Sequence, residues 1–165
     1  YGSQMELVAL DNHAFKTDLL RERAEEYGVH VADAVTGDAT MLGAVLGGRR
    51  FDAVFIDAPC SGLGTLRRHP EIRWRLTEEH LGELAALGLS LLRSAAGHVA
   101  RGGQLAYATC TVTHTENNAV VKRFLESPEG ADFELAPIAG KACVATRLAP
   151  GTPDAHFAVR FARKR

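Results

Sequence analysis

Two cysteine loops and a handful of acids after strand-like runs are the residues of this sequence that could do chemistry. Asp57-Ala58-Pro59-Cys60-Ser61-Gly62 and Tyr107-Ala108-Thr109-Cys110-Thr111 each place a thiol just beyond an apolar run, and Glu116-Asn117-Asn118 follows the second. The third cysteine, Cys143, lies inside a strand-like stretch and reads as a small buried apolar group. Cysteines at 60, 110 and 143 cannot all pair and lack the close spacing of zinc ligands, so free thiols in a reducing cytoplasm are expected. The histidines show no i+3 or i+4 pairing, so no metal site is expected. Ser61 fails as a hydrolase nucleophile because Pro59 stands where a glycine is needed two residues before it. Gly62 and Gly64 fail to open a dinucleotide-binding turn because Arg67 occupies the third glycine position.

The elements that must carry these loops alternate. Glu6 to Leu10 is a nearly continuous apolar run ending at Asp11, as a buried parallel strand reads. Leu19, Leu20, Ala24 and Tyr27 give the next segment a helical stripe, with Gly28 as its stop. A strand over Val29 to Val35 leads to Gly37-Asp38, and a short helix over Ala39 to Leu46 follows. Phe51 to Ile56 is the clearest strand, halted by Pro59. Thr77 caps a long helix whose stripe runs from Leu81 to Val99, and Gly102-Gly103 is read as its end. Gln104 to Ala108 predicts the strand before Cys110. Thr113 with Glu116 forms a capping-box pattern ahead of a helix buried through Val120, Val121, Phe124 and Leu125. Strands are expected over Phe133 to Pro137, Ala142 to Leu148 and His156 to Phe161. This alternation predicts an α/β fold with a mostly parallel sheet, and ligands in such sheets bind beyond the carboxyl ends of the strands. Asp11, Asp38, Asp57 and Cys110 fall at those ends and are expected to converge on one crevice, although an acid after a strand is as readily a helix cap as a ligand.

At 165 residues and 46% apolar content the chain is long enough for one domain with a real core. Residues 1–5, Tyr1 to Gln4 with Met5, are set aside as a candidate cloning remnant, leaving 6–165 as a partial catalytic-type domain. No apolar stretch is long enough to span a bilayer. A formal charge of -1 argues against binding nucleic acid by bulk charge, so local basic clusters matter more. Arg67, Arg68, Arg73 and Arg75 form one, with His69 and Trp74 among them, and Arg160, Arg163, Lys164 and Arg165 form a terminal run that reads more readily as a solvated tail.

With these motifs in view, the sequence resembles the Sun or NSun family of RNA cytosine-5 methyltransferases. That family carries a Pro-Cys loop after one strand and a Thr-Cys loop after the next, and the similarity runs from about Glu6 to the C-terminus. The segment Arg67-Arg68-His69-Pro70-Glu71-Ile72-Arg73-Trp74 looks like its substrate side. The resemblance implies a Rossmann-like fold, S-adenosylmethionine as cofactor, and RNA, most readily ribosomal RNA, as partner. In such chemistry a thiolate adds to carbon 6 of cytosine so that carbon 5 can attack a sulfonium methyl, and a base then removes the carbon 5 proton. The resemblance assigns attack to Cys110 and release to Cys60, and has Asp57 hydrogen-bond the cytosine ring. It places Asp11 on the cofactor's ribose, Asp38 facing its adenine, and Asp57 and Pro59 beside it. Arg67, Arg68, His69, Arg73 and Trp74 would hold phosphate and stack on a base displaced from its helix.

Departures from the pattern set further expectations. A strand and Gly-rich loop that the family carries before Asp11 have no counterpart, so the chain reads as an N-terminally truncated part of a catalytic domain. The strands flanking that gap would then close up, or another chain would fill it, which allows strand-mediated self-association. Lys16 stands where arginine is usual and Ala155-His156 where Gly-Phe is usual, and neither is expected to touch the thiols. Two other readings remain: a DNA cytosine methyltransferase, which the second cysteine loop opposes, and an inactive remnant serving as an RNA-binding or dimerising module.

Overall fold

A computed structural model describes residues 5–165, and all of the candidate cloning remnant but Met5 lies outside the described residues. The chain divides into two compact units, residues 1–48 and 49–165, each with its own sheet.

In the first unit β1 (Leu7–Asp11) pairs parallel with β2 (Val31–Thr36), with Asp11 opposite Thr36. The helix α1 (Ala14–Glu26) connects them. Its seat on the strands is polar: Thr17 is buried and donates to the Ala14 carbonyl, so Thr36 Oγ1, 2.8 Å away, donates to it, and Arg21 donates to the Ala34 carbonyl. The stripe that predicted this helix is not its buried face, because Leu19 and Tyr27 are exposed. Gly28 stops the helix as expected, at φ +63°. The single helix expected over 39–46 is two pieces, a 3-10 turn at Ala39–Met41 and α2 (Leu42–Leu46). Met41 leaves helical geometry between them at φ -125°, ψ 41°.

The second unit is built on a sheet of β3 (Phe51–Asp57), β4 (Val99–Thr109), β5 (Phe133–Ala136), β6 (Cys143–Ala145) and β7 (Phe157–Arg163), in the order β3-β4-β7-β5 with β6 also on β7. The β3–β4 pair is parallel, and β7 runs antiparallel to β4 on one side and to β5 and β6 on the other. Among the described residues β1 pairs with β2 alone and β3 with β4 alone.

Helix α3 (Ile72–Arg75) lies in the loop after β3, and α4 (Glu78–Ala96) returns the chain to β4. Thr77 caps α4 through His80 N–H, as the sequence predicts, but the helix ends at Gly97. Val99 is already the first residue of β4. Gly102, at φ +76°, and Gly103 sit inside that strand, where the register with β3 shifts. They form a bulge, not a helix stop, because a Cβ on Gly103 would come 2.9 Å from the Asp52 carbonyl of the neighbouring strand.

The core lies between this sheet and the pair α4 and α5 (Asn118–Leu125). Leu92, Val99, Leu105, Val120, Phe124 and Phe161 are all but sealed from solvent, and Phe124 meets Phe161 edge-on at 5.1 Å. Gly88 lets α4 approach the strand, since a Cβ there would stand 2.7 Å from the Tyr107 hydroxyl. Gly88→Ala is therefore expected to destabilise by about 1–2 kcal/mol, overpacking outweighing the gain in helix propensity, as measured by urea unfolding.

The terminal basic run is structural rather than a tail. Arg160 and Arg163 belong to β7; Arg163 is mostly buried and donates to the Ala96 carbonyl at the end of α4 and to the Val99 carbonyl at the start of β4. Lys164 donates to the Ala131 carbonyl.

Candidate active site

Both cysteine loops begin where parallel neighbours end. Asp57 of β3 lies opposite Ala108 of β4, and the Ala58 N–H extends the ladder by one bond to the Ala108 carbonyl at 2.9 Å. Pro59 offers no N–H to continue it, so the chain turns off and sets Cys60 beside the end of β4. The Cys60 and Cys110 sulfurs are 3.3 Å apart, both half-buried.

A buried acid holds the two loops together. Glu116 is 1% exposed, and its carboxylate takes the Ser61 backbone N–H at 2.6 Å on Oε1. On Oε2 it takes the Ser61 hydroxyl at 2.7 Å and the Thr113 hydroxyl at 2.6 Å. Thr111 Oγ1 lies 3.2 Å from Oε2 and 2.7 Å from the Ser61 hydroxyl. A hydroxyl has one proton, so with Ser61 donating to the acid, Thr111 donates to Ser61 at the shorter distance. Asn117 grips the Cys110 loop from both sides, accepting from Thr109 Oγ1 at 2.7 Å and donating to the Thr111 carbonyl at 3.1 Å. Tyr107 donates to the Glu116 carbonyl at 2.9 Å, and burial, then Cys60 and Glu116, raise its phenol above the ordinary value.

The Thr113–Glu116 pair is thus a turn before the helix, not its cap, because α5 begins at Asn118 and the carboxylate is drawn to Ser61. The signal for this network was present: a hydroxyl residue stands after Cys60 and on both sides of Cys110.

Gly64 packs the Cys60 loop on the other cysteine: its N–H donates to the Cys110 carbonyl and its carbonyl accepts from Ala155 N–H, both at 2.9 Å. Ala155, a departure expected to be remote from the thiols, is fully buried one residue away from the Cys110 backbone.

Burial, and after it the hydrogen bond to Cys110, pushes the Cys60 thiol up to about 12, against the Gly62 N–H that favours the thiolate. At pH 8 its thiolate fraction is then roughly 10³-fold below that of an ordinary cysteine, and the higher nucleophilicity of a more basic thiolate recovers only part of this. Iodoacetamide is expected to alkylate Cys60 about fifty- to a hundredfold more slowly than a free cysteine, by peptide mapping at pH 8. Comparable rates would mean that the thiol is not held protonated.

The acids expected at the cofactor lie in the first unit. Asp11 and Asp38 stand at the same end of β1 and β2, and the Asp11 carbonyl accepts from Gly37 N–H at 3.0 Å. Partial burial opposes ionisation of Asp11, but the His13 N–H and ring and the Lys16 ammonium together hold its carboxyl below the usual range. The Thr40 hydroxyl and N–H do the same for Asp38, which caps the 3-10 turn at Ala39–Met41. Cys60, Cys110, Asp57 and Pro59 belong to the second unit, where Asp57 and Pro59 are exposed.

The basic segment divides in use. Arg67 donates to the Thr152 and Ala149 carbonyls, and Arg68 to the Asp154 carboxylate at 2.6 Å, so both strap the loop before β7 in place. His69 lies 3.4 Å from the Glu71 carboxylate. Trp74 is 81% exposed, with the Arg73 guanidinium 5.5 Å from its ring.

Residues 1–158 match the family described as 16S rRNA methyltransferase RsmB/F. Among curated proteins the chain is 38% identical over 128 residues to the probable ribosomal RNA small subunit methyltransferase B of Bacillus subtilis, covering 78% of this chain and 28% of that protein. It is 32% identical to ribosomal RNA small subunit methyltransferase B of Klebsiella pneumoniae over 79% of this chain and 30% of that one. The chain therefore spans about three tenths of these relatives' length. NSun6 from Pyrococcus horikoshii, solved with SFG, superposes with a TM-score of 0.81 at 22% identity, over 97% of this chain and 42% of that one. The fold is the Rossmann-like one of methyltransferases, and the chain belongs to the 16S rRNA methyltransferase RsmB/F family of Sun proteins.

Proposed function

We propose that the chain is part of an enzyme that transfers a methyl group from S-adenosylmethionine to carbon 5 of a cytosine in ribosomal RNA, with Cys110 as nucleophile and Cys60 serving release. The observation that carries this reading is the pair of sulfurs 3.3 Å apart at the ends of adjacent parallel strands. One covalent attack needs one thiol, and a second at hydrogen-bond distance suits a reaction whose adduct must also be taken apart. Cys60, which keeps its proton well above neutral pH, is the poorer attacker and the better proton partner.

Two ionised carboxylates at neighbouring strand ends fit a nucleoside cofactor, since Asp11 can accept from ribose hydroxyls and Asp38 from an exocyclic amine. The cofactor supplies a sulfonium methyl group. Asp57 serves the cytosine ring and, with Pro59, borders the cofactor; exposed Trp74 beside Arg73 offers a stacking face and a phosphate contact. His69 stands in the same loop. Arg67 and Arg68 act there mainly by fixing its shape.

The test is intact-mass spectrometry after incubation with S-adenosylmethionine and RNA carrying 5-fluorocytosine, whose fluorine blocks the final proton removal. It is run on the chain and on a fusion supplying the N-terminal portion of the Bacillus subtilis relative. An RNA adduct that Cys110→Ser abolishes is expected. An adduct on Cys60, or none with either protein, overturns the assignment, and the latter leaves an inactive RNA-binding or dimerising module as the reading.

A further inference from the structure

We propose that Glu116 is the positioning residue of the two-thiol site: its carboxylate joins the residue after Cys60 to the loop of Cys110 and so sets the distance between the sulfurs. The inference rests on the reading that both thiols act in one reaction.

Each cysteine sits on its own loop, 50 residues apart in sequence, and the strands guide them only as far as Asp57 and Thr109. Beyond the ladder the loops are joined by Ala58 N–H to the Ala108 carbonyl, Gly64 N–H to the Cys110 carbonyl, and the Glu116 cluster. Glu116 reaches the residue directly following Cys60 by two bonds, at the backbone N–H and the hydroxyl of Ser61, and Thr111 of the Cys110 loop adds one to the same hydroxyl. Its other contacts, Thr111 and Thr113, belong to the Cys110 loop, and Asn117 next to it clamps Thr109 and Thr111 on either side of the cysteine. An acid taken this far out of water is retained only where donors replace its hydration, and here every donor but Thr113 belongs to a residue adjoining a thiol. A carboxylate group accepts through both oxygens, which suits a ring of N–H and O–H donors. Glutamine could keep the Ser61 N–H on its oxygen while its two amide N–H groups donate to the Ser61 and Thr113 hydroxyls, which turn to accept. Alanine leaves the Ser61 N–H without its acceptor and removes the tie that bonds Ser61 at two points, with only the Thr111 hydroxyl left to hold it from the Cys110 loop.

The sulfur spacing can be read without methyl transfer. Diamide takes one hydrogen from each thiol and becomes the hydrazine as Cys60 and Cys110 join in a disulfide, which non-reducing peptide mapping quantifies over time. Glu116→Ala, with folding checked by circular dichroism, is expected to form this bond at least about tenfold more slowly than the native chain, since misplacement near 1 Å costs up to about 10² in a proximity-dependent step. Glu116→Gln is expected within about threefold of native. A folded Glu116→Ala that cross-links at the native rate overturns the proposal. Should that variant not fold, Ser61→Ala/Thr111→Val removes the hydroxyl bridge and keeps the acid; it is expected to slow cross-linking at least threefold, and a native rate in it likewise overturns the proposal. Native cross-linking with no 5-fluorocytosine adduct would instead defeat the cytosine reading and leave the role of Glu116 in spacing the sulfurs intact.

Discussion

Under the proposed reaction, Cys60→Ser is expected to methylate one cytosine and stop, with RNA attached to Cys110. The serine keeps the shape of the site, so the Cys110 adduct forms and carbon 5 takes the methyl, but its hydroxyl is far too weak a base to take the carbon 5 proton. Loss of a general base costs roughly 10²–10⁴ in turnover. The measurement is a denaturing gel with labelled RNA beside a count of methyl groups transferred per chain: a shifted band and a plateau near one are expected. Cys110→Ser should give neither. Multiple turnovers in Cys60→Ser, with no shifted band, would remove Cys60 from the reaction.

The high pKa of Cys60 adds a pH signature with a definite sign. Burial, its largest cause, persists once Cys110 is bonded to the ring, so Cys60 must lose its own proton before it can take another. The release rate in the native chain should therefore rise with pH, about tenfold per unit below roughly pH 11, and the slope should vanish in Cys60→Ser. Stability moves the other way. The folded thiol holds its proton where an unfolded cysteine has lost it, so its stabilising contribution is complete below about pH 8.5 and is lost progressively as pH rises toward 12.

The parts of the fold legible in the sequence are those governed by short-range rules. Pro59 ends β3 because proline has no N–H to give, and the stripe from Leu81 to Ala96 marks α4 because a helix repeats every 3.6 residues. The two cysteine loops were legible for the same reason, each being a short motif at a strand end. What was not legible depends on partners far away along the chain. Glu116 reads locally as a cap for Thr113, yet its decisive partner is Ser61, 55 residues earlier. Arg67 and Arg68 bond carbonyls and an acid more than 80 residues on, contacts that no local pattern around them marks. Gly102-Gly103 reads as a helix stop because a bulge inside β4 leaves no local mark that differs from one.

Gly64→Ala should cost more stability than its one methyl suggests, because the obstacle is backbone on both sides. A Cβ at this position would lie 2.0 Å from the Ala155 carbonyl oxygen and 2.7 Å from that of Cys110. Neither can swing aside as a side chain would. Relief means moving the Cys60 loop away from Ala155, from Cys110 or from both, and each move breaks a 2.9 Å bond through Gly64. Overpacking costs about 1–3 kcal/mol, and each buried backbone group left unpaired about 1–3 more, so a loss of about 4 kcal/mol is expected by urea unfolding. That is a large share of the 5–15 kcal/mol typical of a domain. Gly82→Ala provides the contrast, since it lies exposed on α4 with nothing within 4 Å of its would-be Cβ, and it should stabilise by up to about 1 kcal/mol. If Gly64→Ala unfolds within 1 kcal/mol of the native chain, the loop has room that this packing denies it, and the sulfur spacing cannot depend on Gly64. If the loss is as large as expected but the folded fraction still cross-links Cys60 to Cys110 at the native rate, Gly64 supports the fold while Glu116 alone holds the thiols.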